Sequence, residues 1–288
     1  MNWASLFWGA NILGSGFDKI RRHNCTLFIN KIFRNDNLEQ ALSAGEKTLR
    51  ERYQLTPVRS SHYSRVYKFS ASFNGRERWI YFKQYLYRST WDFIKHLVRP
   101  SRAKRAFEAT LMLEKNGFEA PVIVAMGEHK SSFLDRGNFL VTFEAEGTKQ
   151  INQLIPESLE NLTREQSQDK REMIRAFGQT VGRMHAADIF HGDLRLGNVL
   201  VRWGKNDWHL FFIDNERTRK FRRLPARLRL KNLVQANILI SDCVTKTDRM
   251  RFFKAYLSIN PCVQCCYKDW AQRVVAKTNQ RFRDKGWL

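Results

Sequence analysis

The 288-residue sequence predicts an α+β fold in two lobes, a small antiparallel β-sheet lobe with one key helix followed by a larger, mainly helical lobe. Three observations carry this expectation. Between residues 55 and 143 the apolar residues fall in short runs rich in β-branched and aromatic side chains, with turn residues between them. Further on, Met173, Phe177, Val181 and Met184 recur at helical spacing. Finally, a loop dense in chemistry-bearing side chains runs from His191 to Leu200 and is followed by a second acid at Asp214. A chain of this length buries one large core or two smaller ones. Hydrophobic residues at 43% and aromatics at 13% exclude a disordered chain.

Taken in order, residues 1–54 read as an N-terminal extension. Trp3, Leu6, Phe7, Trp8, Ile12, Leu13, Phe17 and Ile20 precede or accompany Lys19, Arg21 and Arg22. The apolar run is too broken for a membrane span, and no early positive charge marks a secretory signal. Aromatics followed by cations suit either a membrane interface or a segment packed on the domain. Residues 35–53 read as a helix with Asp36 near its start and Leu38, Leu42 and Leu49 on one face.

The smaller lobe is expected over residues 55–146. Strands at 55–59, 66–71 and 78–85 are expected to form a sheet, with Asn74-Gly75 turning the chain between the last two. Residues 87–100 interleave Trp91, Phe93, Ile94, Leu97 and Val98 with cations, suiting a lipid boundary or packing on the next helix. That helix spans residues 101–114, has Phe107 and Leu111 on one face, and is closed by Gly117. Two more strands follow at 121–126 and 139–143, then a connector at 144–147.

The larger lobe is expected over residues 147–288. Residues 158–170 read as a polar surface excursion. Next come the buried helix leading to His191, a hairpin with strands at 199–202 and 209–213, and helices within 233–257 and 270–282. His185, near the end of the first helix, reads as structural.

The loop His191-Gly-Asp-Leu-Arg-Leu-Gly-Asn198 and the hairpin that returns at Asp214 bring three oxygen-bearing side chains to one place. Phosphoryl transfer needs a carboxylate to orient the attacking hydroxyl, and oxygen ligands for the Mg²⁺ that neutralises the phosphates. Asp193 fits the first role, and Asn198 with Asp214 fits the second. The spacing matches the catalytic loop and metal-binding Asp of kinases. In that reading Lys83, on the third strand, holds the ATP phosphates, and Glu108 on the following helix pairs with it.

The loop over the phosphates has no glycine between Arg59 and Arg65, so its anion contacts fall to backbone amides with Ser60, Ser61 and Ser64. Glu144 and Ala145 are the connector positions expected to meet adenine through their backbone. Gly192 stands where protein kinases usually have Arg, and Asn215-Glu216 replaces Phe-Gly after the metal Asp. These departures point away from a phosphorylation-switched protein kinase and towards kinases of small molecules or glycans.

The chain carries 50 Lys and Arg against 28 Asp and Glu, a net charge of +22, with a pI near 10.2. Such an excess gathers anions. Its densest run, Arg217, Arg219, Lys220, Arg222, Arg223, Arg227, Arg229 and Lys231, lies directly behind Asp214. Arginine matches phosphate and carboxylate oxygens in pairs, so Arg217, Arg222 and Arg223, with Arg195 in the loop, are candidates to bind an anionic acceptor. Five cysteines, three of them in Cys262-Val-Gln-Cys265-Cys266, form no even framework, and reduced thiols in a cytoplasmic protein are expected.

Together these residues resemble the bacterial lipopolysaccharide kinase family, which phosphorylates core heptose or the inner-core acid Kdo. The stretches that carry the resemblance are His191 to Asn198, Ile213-Asp-Asn-Glu-Arg217, Lys231-Asn-Leu233, Thr247-Asp-Arg-Met-Arg-Phe-Phe-Lys-Ala-Tyr256, and the helix ending in Glu-Lys-Asn-Gly117. The resemblance implies a bilobal protein-kinase-like fold, ATP with Mg²⁺, and a cytoplasmic enzyme peripheral on the inner membrane that acts on an anionic core glycolipid. No nucleic-acid partner is expected. An acid is expected where Asn232 stands. The competing readings are another small-molecule or protein kinase, and a catalytically silent scaffold binding anionic lipid or nucleic acid through its charge.

Overall fold

The computed structural model describes residues 16–22, 25–86, 100–129, 137–155, 162–205, 207–239 and 243–287. They fall into two compact units, one drawn from Met1–Leu111 and Pro121–Ala145, the other from Met112–Ala120 and Glu146–Leu288. The expectations attached to residues 1–15 and 87–99 lie outside the described residues.

The first unit is built on a seven-stranded antiparallel sheet of order β1-β2-β6-β7-β5-β4-β3. Its strands are β1 (Phe17–Arg22), β2 (Cys25–Asn30), β3 (Thr56–Val58), β4 (Ser64–Phe73), β5 (Arg76–Tyr85), β6 (Ile123–His129) and β7 (Asn138–Phe143). Alternation decides the faces. Tyr67, Phe69, Ala71 and Phe73 of β4, Ile80 and Phe82 of β5, and Phe139, Val141 and Phe143 of β7 share a core with Leu38, Leu42 and Leu49 of α1 (Asp36–Ala44) and α2 (Glu46–Arg52). On the other face, Phe28, Tyr85, Met126 and Leu140 pack with Ala103, Ala106 and Phe107 of α3 (Arg102–Lys115).

Two differences from the sequence reading stand out in this unit. Residues 17–54, expected in an extension, are woven into it: β1 pairs with β2, and β2 pairs with β6. The physical cause is visible in Cys25-Thr-Leu-Phe-Ile, a run of strand-forming residues with Cys25, Leu27 and Ile29 buried in the core. The single helix expected over 35–53 is two helices. Gly45 has φ +104°, which an L side chain rarely adopts, and it ends α1 by donating its N–H to Ala41 O at 3.1 Å.

The second unit centres on α4 (Arg164–Ala186). Thr163 and Gln166 cap its start reciprocally, so residues 164–170, expected on a surface excursion, are its first turns. Around it lie β8 (Lys149–Gln150), β9 (Ile189–Phe190), β10 (Val199–Trp203), β11 (Trp208–Phe212), β12 (Arg219–Lys220), α5 (Ala226–Asn237), α6 (Lys246–Leu257), α7 (Pro261–Gln264) and α8 (Tyr267–Asp284). Met173, Phe177, Val181 and Met184 meet Leu230, Leu233, Phe253, Tyr256 and Trp270 in one core.

Gly178 lets α6 approach α4 closely, since a Cβ there would stand 2.4 Å from Phe252 O. Among the described residues, no helix is long and apolar enough to cross a membrane.

One buried ion network fastens α4 to α6. Asp248 faces Lys170 Nζ at 2.7 Å and Arg251 Nη1 at 2.5 Å, and its carboxylate also accepts from the N–H of Thr245. Burial would raise the Asp248 pKa, but the bonds from Lys170 and Thr245 outweigh it and hold the group below the usual carboxylate range. Asp248→Asn leaves two cations without their counterion, and a loss of about 3 kcal/mol is expected in urea unfolding at neutral pH.

Candidate functional site

The loop after β9 is held by a polar network that has no access to solvent. His191, His185 and Asn232 are each 0% exposed. Asn232, on α5, uses both ends of its amide. Its Oδ1 accepts from His191 N–H at 3.1 Å and from His185 Nε2 at 3.2 Å; its Nδ2 donates to His191 O at 2.5 Å and to Gln235 Oε1 at 2.9 Å. Gln235, one turn on, accepts from Leu194 N–H and donates to Gly192 O, both at 3.4 Å. Two side chains of one helix thus grip three loop residues, His191, Gly192 and Leu194.

The remaining bonds assign the protons. Arg229 Nη1 donates to Tyr256 Oη at 2.7 Å, Tyr256 donates to His185 Nδ1 at 3.1 Å, and His185 is therefore protonated at Nε2. Burial and the Arg229 charge push the His185 pKa down to about 3. His191 Nδ1 accepts from Asp193 N–H at 3.2 Å, so its Nε2–H donates to Asn215 Oδ1 at 3.1 Å. Burial lowers its pKa as well. Both rings are neutral supports that place backbone, and neither carries a charge for chemistry.

Asn198 Nδ2 donates to Asp193 O at 2.9 Å, closing the loop on itself and leaving Asn198 Oδ1 as an acceptor. Its own carbonyl accepts from Ile213 N–H at 3.0 Å, which sets Asp214 beside it. Asp214 has φ +61°, a left-handed turn that Asp tolerates better than most residues. Gly192 is required by space. A Cβ there would lie 2.0 Å from Arg217 Cβ and 2.6 Å from Arg217 O, which accounts for the missing Arg at this position.

Asn198 and Asp214 offer only oxygen. Among the described residues there is no group of three or more His, Cys, Asp and Glu placed to hold an ion. A hard cation that keeps most of its water and takes one or two protein oxygens, as Mg²⁺ does, fits this pair.

The arginines divide. Arg195, expected to meet an acceptor, instead forks onto Asp193, with Nε to Oδ1 at 2.8 Å and Nη2 to Oδ2 at 2.5 Å. Proximity decides this, because two residues separate the charges and the fork matches a carboxylate. Arg229, read within the cationic run, is buried and structural. Arg217, Arg219, Lys220, Arg222, Arg223, Arg227 and Lys231 are exposed. Asp188 fixes the segment that displays Arg222 and Arg223, accepting from Phe221 N–H at 2.9 Å through its carbonyl and from Leu224 N–H at 2.7 Å through its carboxylate.

In the first unit, Lys83 lies on β5 opposite Val66 and Leu140, half-buried, with Nζ 5.2 Å from the Tyr85 ring centre. The pair expected between Lys83 and Glu108 is not among the ion pairs of the described residues. Glu108 meets Lys104, one turn back on the same helix, at 4.0 Å, and burial pushes its pKa up. Ser61 and Ser64 share a hydroxyl–hydroxyl bond at 3.0 Å at the turn into β4. Glu144 spends its N–H on Trp79 O at 2.9 Å, so at Glu144 only the carbonyl remains for a connector contact; Ala145 follows it at the end of the first unit. The Glu144 side chain takes Lys68 Nζ at 2.8 Å, a contact the sequence did not announce.

A sheet unit with a strand lysine and a helix glutamate, then a helical unit with this loop and hairpin, define a protein-kinase-like fold. The solved structure of WaaP in complex with acyl carrier protein has a TM-score of 0.57 to this chain at 20% identity, covering 85% of this chain and 97% of that one. The lipopolysaccharide core heptose(I) kinase WaaP of Pseudomonas aeruginosa is 27% identical over 159 residues. That match covers 54% of this chain and 59% of the relative's length. Residues 49–256 match the lipopolysaccharide kinase (Kdo/WaaP) family, and the chain belongs to it.

Two outcomes test the buried network. Asn232→Ala strands several buried partners and is expected to lower unfolding free energy by about 3 kcal/mol, read by denaturant titration. His185 has a folded pKa depressed to about 3, so its contribution is present above the unfolded value near 6.5 and is lost as pH falls towards 3. Unfolding between pH 7 and 4 is expected to show this decline, with a shallower slope in His185→Gln.

Proposed function

We propose that this chain transfers the γ-phosphate of ATP to a hydroxyl of a heptose or Kdo sugar in the lipopolysaccharide inner core. The observation that carries the reading is the locked arrangement of Asp193, Asn198 and Asp214 in a chain of this family. Asp193 is assigned the incoming hydroxyl: it orients the oxygen and accepts its proton once the Arg195 fork has opened. Arg195, two residues from the base, is then placed to meet acceptor or phosphate oxygens. Asn198 Oδ1 and the Asp214 carboxylate are assigned to Mg²⁺, which when bound neutralises phosphate charge.

Lys83 is assigned to the α- and β-phosphates. Glu108 is its proposed partner, since a carboxyl whose pKa burial has raised gains from an incoming ammonium. Ser61 and Ser64 are assigned to the loop over the phosphates, and the connector at Glu144 and Ala145 to the adenine. Arg217, Arg222 and Arg223 are assigned to the acceptor. The exposed cations behind Asp214 and a net charge of +22 suit an anionic, membrane-anchored glycolipid, with the protein peripheral on the cytoplasmic face of the inner membrane.

The direct test is transfer of labelled phosphate from ATP to defined core glycolipids, with generic protein and free RNA as control acceptors. Label on the glycolipid alone is expected; label on protein, or none, overturns the reading. Asp193→Ala is expected to keep the fold, because among the described residues the Asp193 side chain bonds only to the exposed Arg195, while turnover falls by about a thousandfold or more. Charge reversal at Arg222 and Arg223 is expected to raise KM for the glycolipid several-fold more than KM for ATP in steady-state kinetics.

A further inference from the structure

Three of the five cysteines, Cys262, Cys265 and Cys266, lie on α7 and at its junction with α8, and all three are exposed, whereas Cys25 and Cys243 are buried. Cys265 keeps right-handed helical angles, φ −61° and ψ −26°. Cys262 therefore stands one turn back from it, with the two Cα atoms about 5 Å apart by helix geometry, within the range a disulfide spans. The Cys265 thiol donates to Cys262 O at 3.4 Å, and its sulfur is 3.2 Å from that of Cys266. The bond to Cys265 keeps the proton on Cys266 and pushes its pKa up. Cys266 is thus the donor once Cys265 has ionised.

The same turn is tied to the support of the loop at residues 191–198. Asn260 opens α7, and its carbonyl accepts from Val263 N–H at 2.9 Å and Gln264 N–H at 3.2 Å. Its buried side chain accepts from Arg229 Nη1 at 2.7 Å and donates to Gly182 O at 3.1 Å and Tyr256 O at 3.2 Å. Arg229 and Tyr256 both bond to His185, and His185 bonds to Asn232. Cβ atoms three residues apart on a helix are about 5–6 Å from each other, and a disulfide needs about 4 Å. A bridge closed in this turn draws its ends together by about 1 Å or more, next to an Asn260 whose carbonyl and amide are already committed.

We infer that Cys262, Cys265 and Cys266 form a thiol-oxidation site for hydroperoxides, and that the disulfide it closes between Cys262 and Cys265 loosens the loop at residues 191–198 through Asn260. Cys265 gives its proton to water, and the S–H of Cys266 stabilises the thiolate that remains. That thiolate attacks one peroxide oxygen: an S–O bond forms, the O–O bond breaks, and the departing oxygen takes up a proton to leave as an alcohol, or as water from hydrogen peroxide. Cys262, deprotonated in turn, attacks the sulfenic sulfur; the S–S bond forms, the S–O bond breaks, and the hydroxide takes up a proton and leaves as water. Two thiols and one hydroperoxide become one disulfide, one alcohol and one water, with sulfur oxidised and the peroxide reduced. Exposed thiols beside a resolving cysteine are the pattern of redox sensing, and disulfides in reducing compartments are transient. This site is separate from phosphoryl transfer and does not depend on it.

The test treats the full chain with hydrogen peroxide, alkylates the remaining thiols and maps the tryptic peptide of residues 255–268, which carries all three cysteines. Wild type is expected to lose two thiols to a Cys262–Cys265 bridge that dithiothreitol reverses. Cys262→Ser and Cys265→Ser should form no bridge, and Cys266→Ser should form the same one about threefold or more slowly. Amide hydrogen exchange across residues 191–194, read by mass spectrometry, is expected to quicken about threefold or more on oxidation of wild type and to stay unchanged in peroxide-treated Cys262→Ser. No bridge in wild type, a bridge that forms without Cys262 or Cys265, or an equal rate without Cys266 overturns the site. A wild-type bridge that leaves exchange at residues 191–194 unchanged overturns the link through Asn260.

Discussion

The amide of Asn232 is the interaction on which the loop depends. It lies out of contact with water, between the His185 ring, the His191 backbone and the Gln235 side chain, which together present two donors and two acceptors. A carboxamide has a carbonyl for the donors and an NH₂ for the acceptors, so every group is satisfied without charge. A carboxylate would accept from both N–H groups but have nothing to give His191 O or Gln235 Oε1, and it would bury a charge. The acid expected here from the family resemblance is replaced by the group that this set of neighbours requires. His185 stays neutral for a related reason: burial disfavours the charged ring, and Arg229, next to it through Tyr256, makes a second cation in that space unfavourable.

Rigidity at Asn232 places the more exposed chemistry. With His191, Gly192 and Leu194 fixed on α5, Asp193 projects from a loop whose backbone is already bonded, and Asn198 and Ile213 complete it from the hairpin side. The Arg195 fork sits outside this frame, on a side chain 61% exposed, where a salt bridge contributes little to stability. It is therefore the element that can be exchanged for another anion at small cost, whereas the frame beneath it cannot. The cations displayed by the Asp188 bracket share this exposure. Their influence is on attraction and orientation of anions and not on folding.

Much of the fold was legible in the sequence because the periodicities are strong. Strands β4, β5 and β7, helix α3 and the β10–β11 hairpin sit where alternation and turn chemistry put them, within a few residues. Strand β2 is not announced although Cys25-Thr-Leu-Phe-Ile is strand-forming, because its neighbour β6 lies about a hundred residues later and pairing at that distance leaves no local trace, while β1, at the sheet edge beside β2, has no buried side chain to give it an alternation. Gly45 is a helix breaker in the sequence, but the leucines on either side of it carry one continuous helical spacing. The 164–170 segment looked like a loop because an amphipathic helix shows only its polar face in its first exposed turns.

Asp193, Asn198 and Asp214 are proposed as the chemical group on residue type and spacing, since a tight loop and a short hairpin allow few ways to place them. Charge, too, is a property of composition and needs no coordinates. What only the tertiary structure decided is which of those charges are spoken for. Arg195 is held by Asp193, Arg229 is buried under Tyr256, Glu108 is beside Lys104, and Lys68 is bound to Glu144 from 76 residues away. A side chain's partner depends on what the fold brings within about 3 Å of it, and one-dimensional order does not contain that distance.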